Sequence, residues 1–437
     1  MTGEPLDLAG VGIGPFNLSL AALAEKVPGL SVALFDRREE FRWHPGLLIE
    51  GATIQVPFLA DLVSLVDPTS PLSFLNYLRE HGRLFPFYFA ERFHLPRAEY
   101  DHYCRWASGR LGSCHFGAEI TSIAWADGTF RLTSAVDAEP VRARNVVLGV
   151  GTSPWLPEPL RSLESLGSVV HSAHYLDERK RLLDAPVVTV VGAGQSGAEV
   201  FLDLLRHRSR PDGLRWIART PAFAPMEYSK LGLEQFTPDY TGFFHGLPEP
   251  ERDRLLPSQW QLYKAIDAGT IAAIHDELYR RSVGGNWPDV VLTPGVEVVS
   301  ARPDGTRIAL GLRHRQQSAG AVWHTDAVVA ATGYTETPLD DLLAPLGACL
   351  ARDGSGRLVV ERDYRLRLSP DGAGITGSIY VQNAERHTHG AGAPDLGLAA
   401  WRAASIINSV RGHAVYDLPS RTAFTRFGLC PPSEERQ

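Results

Sequence analysis

A glycine-rich turn near the N-terminus is the first feature of the chain that could carry chemistry. Gly12 and Gly14 are followed by Asn17, which stands where a third glycine is usual, and Asp36 lies further along the chain. Such a turn lets the backbone approach a pyrophosphate at the N-terminus of the following helix. A carboxylate at the spacing of Asp36 can accept hydrogen bonds from ribose hydroxyls. The pattern predicts a dinucleotide site, and a tight turn with only a packing role is the alternative.

A second glycine-rich turn lies in the middle of the chain, and its residues are Gly192, Gly194, Gln195, Ser196 and Gly197. The predicted strand that follows the turn's helix has no acid at its end and offers Arg219 instead. An arginine suits the 2′-phosphate of NADP, whereas a carboxylate would repel it. The second turn therefore favours NADPH over NADH, with an ordinary surface arginine as the alternative for Arg219.

Two dinucleotide sites on one chain imply that electrons pass between the two nucleotides. The acid at the first turn suits the ribose of FAD, so the sequence predicts a flavin that NADPH reduces. A disulfide reductase of this architecture would need a cysteine pair beside the flavin, but Cys104, Cys114, Cys349 and Cys430 form no C-x-x-C pair. We therefore expect the reduced flavin to react with oxygen.

Alternating strand and helix patterns position the two turns. Apolar runs predict strands at Leu6–Val11 and Ser31–Phe35 with a helix at Phe16–Ala24 between them, and a second unit of this kind begins at Val187. This order predicts an α/β fold with two Rossmann-like, doubly wound dinucleotide-binding domains and a small substrate-binding region. The expected segments are the first part of the FAD-binding domain at 1–165, the NADPH-binding domain at 166–324, and the second FAD-binding part with a closing C-terminal segment at 325–437.

Composition narrows the class of protein. The 437 residues carry a formal net charge of −7, which argues against nucleic acid as a partner. No run of about 18 apolar residues is present, and the N-terminus lacks the pattern of a signal peptide. The cysteine spacing fits no zinc knuckle, and His387 and His389 are interpreted as turn residues rather than metal ligands. These features predict a cytoplasmic protein without a metal site or a membrane segment.

Several stretches resemble the flavin-dependent N-hydroxylating monooxygenases that act on lysine, ornithine and small diamines. They are "GVGIGPFNLSLA", "FRWHPGLLIEGATIQVPFLADLVSLVDPTSPLSFLNYL", "EYDHYCRWA", "VVGAGQSGAEV", "ATGYTETP" and "HTHGAGAPDLGLAAW". These stretches extend from residue 10 to about residue 410, which is nearly the whole chain. The W-H-P-G and F-L-N-Y-L segments are more specific to the family than the glycine turns are.

The resemblance implies roles for further residues. Contacts to FAD are implied for Asp36, Trp43, His44, Gln55, Asp395, Leu396 and Gly397, with Ile54 beside the isoalloxazine. Contacts to NADPH are implied for Gly194, Gln195, Ser196, Gly197, Arg219, Tyr263 and Lys264. The resemblance also implies that reduced flavin captures O2 as a C4a-hydroperoxide, that bound NADP protects this species, and that the substrate amine attacks its distal oxygen. Relatives are often tetramers, so a homo-oligomer, tetramer or dimer, is expected.

Departures from the amino-acid-specific members of the family bear on which amine is used. Ala60 stands where ornithine and lysine enzymes commonly carry a lysine that binds the substrate's carboxylate. Leu233 and Leu398 stand where the ornithine enzymes carry an asparagine and a serine. Because a desolvated carboxylate without a cation is costly, the resemblance implies a diamine such as cadaverine or putrescine. Glu234 and Asp61 are the candidates to bind its far ammonium group.

Other readings stay open at this point. L-Lysine is the nearest alternative substrate, with Arg83 or Lys230 binding its carboxylate, and L-ornithine is a further one. An oxidase that releases only peroxide and a flavin-binding sensor without turnover are the remaining alternatives. An alkyl amine has a pKa of about 10.4 and attacks only in its neutral form, so the site must favour deprotonation. The sequence identifies no residue that accepts this proton. The resemblance implies that the hydroxylated product enters a hydroxamate siderophore.

Overall fold

A mixed β-sheet and a parallel β-sheet organise the computed structural model, which describes residues 4–135, 139–209 and 212–429. The described strands are β1 (Leu6–Val11), β2 (Val32–Asp36), β3 (Thr53–Pro57), β4 (His94–Pro96), β5 (Cys114–Phe116), β6 (Ile120–Ala126), β7 (Thr129–Ser134), β8 (Val141–Leu148), β9 (Thr152–Pro154), β10 (Val169–His171), β11 (Val188–Val191), β12 (Leu214–Ala218), β13 (Val290–Pro294), β14 (Val296–Asp304), β15 (Arg307–His314), β16 (Ala319–Thr325), β17 (Ala327–Ala330), β18 (Tyr334–Glu336) and β19 (Ile379–Val381). The described α-helices are α1 (Pro15–Ala24), α2 (Phe74–Glu80), α3 (Leu84–Ala90), α4 (Arg97–Ser108), α5 (Glu158–Glu164), α6 (Tyr175–Asp184), α7 (Gln195–His207), α8 (Lys230–Leu233), α9 (Pro238–His245), α10 (Glu249–Ser258), α11 (Trp260–Tyr263), α12 (Ala268–Arg281), α13 (Arg386–His389) and α14 (Ala399–Arg411). The two ends of the chain, residues 1–3 and 430–437 with Cys430, lie outside the described residues.

The first sheet places the N-terminal glycine turn. Strand β1 lies between β2 and β8, with Gly10 opposite Leu34 on one side and Val147 on the other. The parallel order β5–β2–β1–β8 continues to β19, and β7 and β6 extend the sheet as an antiparallel hairpin. Leu8 and Ala9 are fully buried in two different cores, one on each face of the sheet. Burial on both faces explains why β1 reads as a continuous apolar run.

Helix α1 starts directly after that turn and is buried along its whole length. It packs against α14 and α4, so all of its sides are buried. This packing fixes the position of its N-terminus beneath the turn.

The second sheet places the second glycine turn in the same way. Its five strands are all parallel, in the order β10–β17–β11–β12–β13. Helix α7 follows β11 and buries Phe201, Leu204 and Leu205 in the core of this domain. An antiparallel sheet of β14, β15 and β16 packs beside it with α5. The two sheets confirm the predicted α/β fold with two Rossmann-like domains.

Two elements lie outside the domain limits that the sequence suggested. Strand β17 belongs to the second sheet, between β10 and β11, although residue 325 was expected to begin the second part of the first domain. Helix α5, expected in the first domain, packs through Leu160 and Leu163 in a core of the second. The chain passes between the domains at the antiparallel pair of β9 and β18, where Ser153 lies opposite Thr335. The limits were misplaced because an apolar strand that ends in glycine looks the same in either sheet.

Helices α8 to α11 form a small region that connects the two domains. This region follows β12 of the second sheet, and its helices α9 and α10 contact α13, which follows β19 of the first sheet. This region is the candidate for the small substrate-binding region expected from the sequence, and its contact with a substrate stays a prediction. None of the helices described for this chain combines the length and the apolar character that crossing a bilayer requires.

Candidate active site

The two glycine turns have the same backbone geometry where each helix begins. Gly14 is the N-cap of α1, with φ and ψ of −87° and 178°, and Gly194 is the N-cap of α7, with −91° and 178°. No side chain of the described residues caps either N-terminus. The N–H groups of the first helical turn are therefore left for another acceptor. A Cβ on Gly14 would meet open space, so both turns have the donors, and the first has the room, for a pyrophosphate.

Asn17 occupies the third glycine position because its side chain has partners there. Its Nδ2 donates to the carbonyl oxygens of Gly12 at 2.7 Å and Val11 at 3.2 Å, and its Oδ1 accepts from Nε2 of Gln382 at 2.7 Å. The side chain is fully buried, and Gly149 at the end of β8 leaves room for it, since a Cβ there would lie 2.6 Å from its amide. Asn17 thus ties together the ends of β1, β8 and β19 below the turn.

The second turn uses a close approach of helix and strand instead. A Cβ on Gly197 would overlap the carbonyl oxygen of Gly192, and Nε1 of Trp216 donates to the same oxygen at 2.7 Å. Ser196, between the two glycines of the helix start, is half-buried. In the first turn, the helix is therefore joined to the strand by the hydrogen bonds of the Asn17 side chain. In the second turn, the helix approaches the strand because Gly197 has no side chain.

Asp36 lies beside the first turn at the end of β2. Its Oδ2 accepts from the backbone N–H of Ile13 at 2.7 Å, its Oδ1 accepts from that of Arg38 at 2.9 Å, and the Arg38 guanidinium pairs with it at 2.8 Å. Burial alone would raise the pKa of this carboxyl, but Arg38 and the hydrogen bonds hold the pKa below its usual value. An ionised acid beside the turn is the group that a dinucleotide ribose requires.

A cluster of cations lies beside the second turn. The backbone oxygen of Lys264 would be 3.4 Å from a Cβ on Gly194, which places this lysine next to the turn. Its Nζ lies 5.3 Å from the ring centre of Tyr263, and Arg386 lies 5.9 Å from the same ring. Burial, together with the charges of Arg386 and Arg219, lowers the pKa of Lys264. Like charges gathered in this way fit an anionic ligand, as the phosphates of NADPH are.

The W-H-P-G segment forms the contact between the two domains. Gly46 lies in the 3₁₀ turn Pro45–Leu47, and a Cβ on it would overlap the carbonyl oxygen of Ala173 in the second domain. Leu47 and Ile49, which follow, are buried in the core of that domain. Only glycine permits this approach, so the two domains meet closely at Gly46.

His44 lies at this contact between the domains, next to two aromatic rings. Its ring lies 5.2 Å from that of Trp43 and 5.4 Å from that of Tyr334, which in turn lies 5.3 Å from His171. Although the side chain of His44 is exposed, desolvation by the surrounding protein, with repulsion from Arg97 and Arg38, lowers its pKa to about 4, so the imidazole is neutral near pH 7. The hydroxyl of Tyr334 is buried without a hydrogen-bond partner among the described residues, which suits a bound group at this place.

Tyr228 joins the small substrate-binding region to β3. Its hydroxyl donates to the carbonyl oxygen of Gln55, and its ring lies 5.8 Å from that of His94 on β4. Burial raises the pKa of Tyr228 to about 12, which keeps the hydroxyl a donor. Ile54, next to Gln55, is buried in the first core. The segment before α8 is thereby held on the strand that the resemblance places beside the flavin.

The turn Asp395–Leu398 lies on the same side. The Asp395 carboxylate accepts from the backbone N–H of Gly397 at 2.7 Å, and burial raises its pKa to about 6. This turn contacts β3, and Leu398 is buried. Gly392 keeps the chain close to both Leu398 and Phe236, since a Cβ on it would lie 2.8 Å and 3.9 Å from them. The structure therefore brings the turn, β3 and the segment after α8 together.

Asp61 is bound within its own loop. Its carboxylate accepts from the backbone N–H groups of Val63, Ser64 and Phe74 at 2.9, 2.6 and 2.7 Å. Burial raises its pKa. Ala60, its neighbour, is only 4% exposed. Position 60 of the loop therefore carries only a methyl group. The carboxylate at position 61 binds backbone N–H groups of the same segment.

Glu234 binds the C-terminal part of the chain. Its Oε1 accepts from the backbone N–H of Phe424 at 2.9 Å and its Oε2 from that of Thr425 at 2.8 Å. A hydrogen bond with the Thr425 side chain, followed by these backbone hydrogen bonds, lowers the pKa of Glu234. Both acids considered for the far ammonium thus have backbone partners, and their role toward an amine stays a prediction.

The two cations considered for a substrate carboxylate lie at exposed positions. Arg83 forms an ion pair with Glu99, next to α3. Lys230 is the exposed first residue of α8. Neither Arg83 nor Lys230 is therefore a buried cation that could take the place of the lysine missing at position 60.

The described residues fit both cofactors. The first turn combines an uncapped helix with an ionised acid, and the second combines an uncapped helix with a cation cluster. In the part of the chain with described coordinates, no group of three or more His, Cys, Asp or Glu side chains is placed to hold a metal ion.

Three site residues were missed by sequence reasoning. Arg386 joins the cations of the second turn although it lies about 190 residues after it, Gln382 holds Asn17 from β19, and Tyr228 binds β3 from the region before α8. The signal available for Arg386 was its place beside the H-T-H-G segment, which the resemblance already included. Gln382 and Tyr228 carried no local signal, because their partners are far away in the sequence.

Comparisons with known proteins identify the family to which this chain belongs. The family model for L-lysine 6-monooxygenase/L-ornithine 5-monooxygenase matches residues 4–336. The rhizobactin siderophore biosynthesis protein RhbE of Rhizobium meliloti is 44% identical over 97% of this chain and 95% of its own length. A putrescine N-hydroxylase of Shewanella oneidensis is 40% identical over 97% of this chain and 84% of its own length. The crystal structure of DfoA with FAD, a cadaverine monooxygenase of the desferrioxamine pathway of Erwinia amylovora, has a TM-score of 0.92 and 36% identity and covers 98% of this chain and 100% of its own. The chain therefore belongs to the L-lysine 6-monooxygenase/L-ornithine 5-monooxygenase family of N-hydroxylating flavoenzymes.

Proposed function

We propose that this chain uses FAD, NADPH and O2 to hydroxylate one primary amine of an aliphatic diamine such as cadaverine or putrescine. The observation that carries the proposal is the buried methyl group of Ala60, next to an acid that is bound within its own loop. Leu398, at the turn beside β3, is apolar and buried as well. The relatives named as a putrescine N-hydroxylase and a cadaverine monooxygenase support the same substrate class.

The charge of the substrate explains why Ala60 matters. An amino acid brings an α-carboxylate into the site, and an unpaired carboxylate in a desolvated place is costly. A diamine brings no such group, so it needs no cation at position 60. L-Lysine and L-ornithine are therefore expected to be the poorer substrates.

A flavin held at the first turn would supply the activated oxygen for N-hydroxylation, and the residues of this chain would prepare the amine for that reaction. Apolar surroundings disfavour the ammonium form, because desolvation lowers the pKa of an amine. Gly46 brings the NADPH domain close to the flavin domain, and Tyr228 holds the substrate-binding region on β3. Positioning and exclusion of water are therefore the functions that we assign to the protein.

The product of this reaction is an N-hydroxylated diamine. Acylation of its hydroxylamine nitrogen gives a hydroxamate, whose two hard oxygen atoms suit ferric iron. The relative from Rhizobium meliloti is named as a siderophore biosynthesis protein. We therefore place the chain in the biosynthesis of a hydroxamate siderophore.

Association into a homo-oligomer, dimer or tetramer, is part of the proposal. Helix α3 buries none of its residues, and Phe85, Tyr88 and Phe89 are 77%, 72% and 73% exposed. An exposed apolar face of this kind supports contact with a second copy of the chain. A cytoplasmic location is supported by the described cysteines, which are free, as a reducing compartment would keep them.

Steady-state kinetics with four amines tests the proposed function. We expect kcat/KM for cadaverine or putrescine to exceed that for L-lysine and L-ornithine by roughly 100-fold, because the amino acids leave a carboxylate without a cation. Hydroxylated product must be measured along with NADPH consumption, since an oxidase would consume NADPH and release only peroxide. A higher kcat/KM for L-lysine than for either diamine would refute the assignment.

A further inference from the structure

The C-terminal part of the chain returns to the substrate-binding region as a strap, defined here as residues Thr422–Phe427. Oδ2 of Asp239 accepts from the first two backbone N–H groups of the strap, at 2.8 and 2.9 Å. The backbone N–H of Asp239 in turn donates to the hydroxyl of Thr422 at 3.2 Å. Glu234 accepts from the next two N–H groups of the strap, at 2.9 and 2.8 Å. Two carboxylates therefore bind four consecutive backbone donors.

An apolar contact extends this attachment along α9. The ring of Phe427 lies 4.9 Å from that of Tyr240 and 6.1 Å from that of Phe243. Tyr240 is 4% exposed, and its hydroxyl accepts from Nε2 of Gln259 near α11. The strap is thus fixed to the outer side of α9 by charge at one end and by aromatic packing at the other.

The segment that the strap holds is the one beside the amine site. Glu234 is the residue directly after Leu233 and opens the 3₁₀ turn Glu234–Phe236. The end of this turn lies close to Gly392 and, through it, to Leu398. A displacement of the strap would therefore reach both leucines that replace polar residues of the ornithine enzymes.

The carboxylates of Glu234 and Asp239 face the backbone N–H groups of the strap, which argues for a structural role rather than for direct binding of an amine. Both oxygens of Glu234 bind backbone N–H groups of the strap, and Asp239 lies at the start of α9 with the same kind of partners. Hydrogen bonds from backbone N–H groups to a carboxylate are charge-assisted and stronger than those between neutral groups. Each acid thus has a structural function that does not require the substrate.

We propose that Glu234 and Asp239 are positioning residues for the amine pocket, which hold the C-terminal strap against α9 and do not touch the amine. This inference rests on the proposed function, because the pocket it stabilises is the pocket for a diamine. The alternative, that Glu234 binds the far ammonium, is decided by the kinetics described below.

Limited proteolysis of the full-length holoenzyme tests the anchoring without any assay of activity. Trypsin cleaves after Arg421 and Arg426, at the two ends of the strap. We expect cleavage at these sites to be about tenfold faster in Glu234→Gln and faster still in Glu234→Gln/Asp239→Ala, because each change removes charge-assisted hydrogen bonds that keep the strap closed. Glu251→Gln, which removes an exposed acid of α10, is the matched control and is expected to be cleaved like the unchanged protein.

Kinetics with a diamine and a monoamine tests the positioning. Loss of the strap is expected to raise KM for cadaverine about tenfold and to lower product formed per NADPH, with little effect on the rate of flavin reduction. The ratio of kcat/KM for cadaverine to that for pentylamine is expected to stay the same, because neither acid touches the second amine. If Glu234 bound the far ammonium, Glu234→Gln would reduce this ratio toward one.

The remaining outcomes of these two experiments contradict either the role of the strap or the proposed function on which it rests. Unchanged proteolysis in the double variant overturns the anchoring, and faster proteolysis with unchanged KM and coupling overturns the positioning. A fall in the ratio of cadaverine to pentylamine overturns the claim that Glu234 acts at a distance. If the unchanged enzyme hydroxylates no diamine while the variants still lose protection of the strap, the proposed function fails and the anchoring stands.

Discussion

Arg97 and Glu199 form a buried ion pair that joins the two dinucleotide-binding domains. Their side chains are 9% and 5% exposed, and the guanidinium meets both carboxylate oxygens, at 2.7 and 2.9 Å. Arg97 is the first residue of α4, and Glu199 lies in the second turn of α7. Nε2 of Gln195, at the start of α7, donates to the same carboxylate at 2.8 Å. The second glycine turn is therefore fixed to the flavin domain by one charge network.

Removing one partner of this pair is expected to cost far more than removing both. Arg97→Met leaves a carboxylate buried without its cation, which costs about 3–5 kcal/mol, whereas Arg97→Met/Glu199→Met replaces the pair by apolar groups and recovers much of that loss. Burial already raises the pKa of Glu199 in the presence of Arg97. Denaturant unfolding, followed by circular dichroism and by flavin fluorescence, measures both variants. A double variant as unstable as Arg97→Met would contradict this account of the pair.

The residues that the sequence identified are those whose requirements are local. Gly12, Gly14 and Asp36 lie within one βαβ unit. The residues that form the turn and the residue that contacts the ribose are therefore close together in the sequence and can be recognised as one pattern. The second turn is read in the same way from Gly192 to Gly197. The α/β fold class followed from these units because parallel strands joined by a helix permit few arrangements.

The parts that could not be predicted depend on contacts between distant segments. Asn17 was recognised as a departure from glycine, but its reason lies in Gly149 and Gln382. Arg386 reaches the cations of the second turn from the far end of the chain. Glu234 was noted for its charge, yet its partners are backbone groups of the C-terminal strap, which carry no sequence signal.

An exchange of residues between the two turns tests why they differ. Asn17→Gly leaves the carbonyl of Gly12 and the amide of Gln382 without partners and is expected to cost about 2–4 kcal/mol and to weaken FAD retention. Gly197→Asn is expected to abolish NADPH binding, because a side chain there overlaps the carbonyl of Gly192. Thermal unfolding, flavin content and NADPH titration measure the two effects. Retained NADPH binding in Gly197→Asn would show that α7 can move away from its strand at little cost.

Gly46→Ala tests the contact between the domains. The added methyl overlaps the carbonyl oxygen of Ala173, so the two domains must separate. Displacement of about 1 Å at a reacting centre can slow a reaction about 100-fold, and we expect anaerobic flavin reduction by NADPH to slow by that order. Gly347→Ala, where a Cβ meets open space, is the control and is expected to leave the rate unchanged. A normal rate in Gly46→Ala with bound FAD would mean that this contact does not set the distance for hydride transfer.

Acid is expected to destabilise the protein through histidines that the fold keeps neutral. His389 is 2% exposed, its ring stacks on that of Tyr364 at 4.6 Å, and burial with repulsion from His245 lowers its pKa well below the usual value. An unfolded histidine titrates near about pH 6.5, so the contribution of the neutral form is complete above that pH and is lost as the pH falls toward the folded pKa.

The measurement is the thermal midpoint at about pH 7.5 and about pH 5.5. The unchanged protein is expected to lose stability at the lower pH, and His389→Gln is expected to lose less. His413→Gln removes an exposed histidine and serves as the control, with the same loss as the unchanged protein. An equal loss in all three proteins would show that His389 does not contribute to the acid sensitivity.

Ala60→Lys tests the argument on substrate charge most directly. The new ammonium would stand at the position where the resemblance implies a lysine that binds a substrate carboxylate, so kcat/KM for L-lysine is expected to rise while that for cadaverine falls about 100-fold. Ala60→Met adds similar length without charge, and it is expected to impair cadaverine by its bulk without any gain for L-lysine. Hydroxylamine formation with both amines, measured for all three proteins, separates charge from size. Both variants could instead lose activity with cadaverine to the same extent, without any gain with L-lysine. In that case a feature other than the missing cation rejects the carboxylate, and Ala60 does not determine the substrate preference.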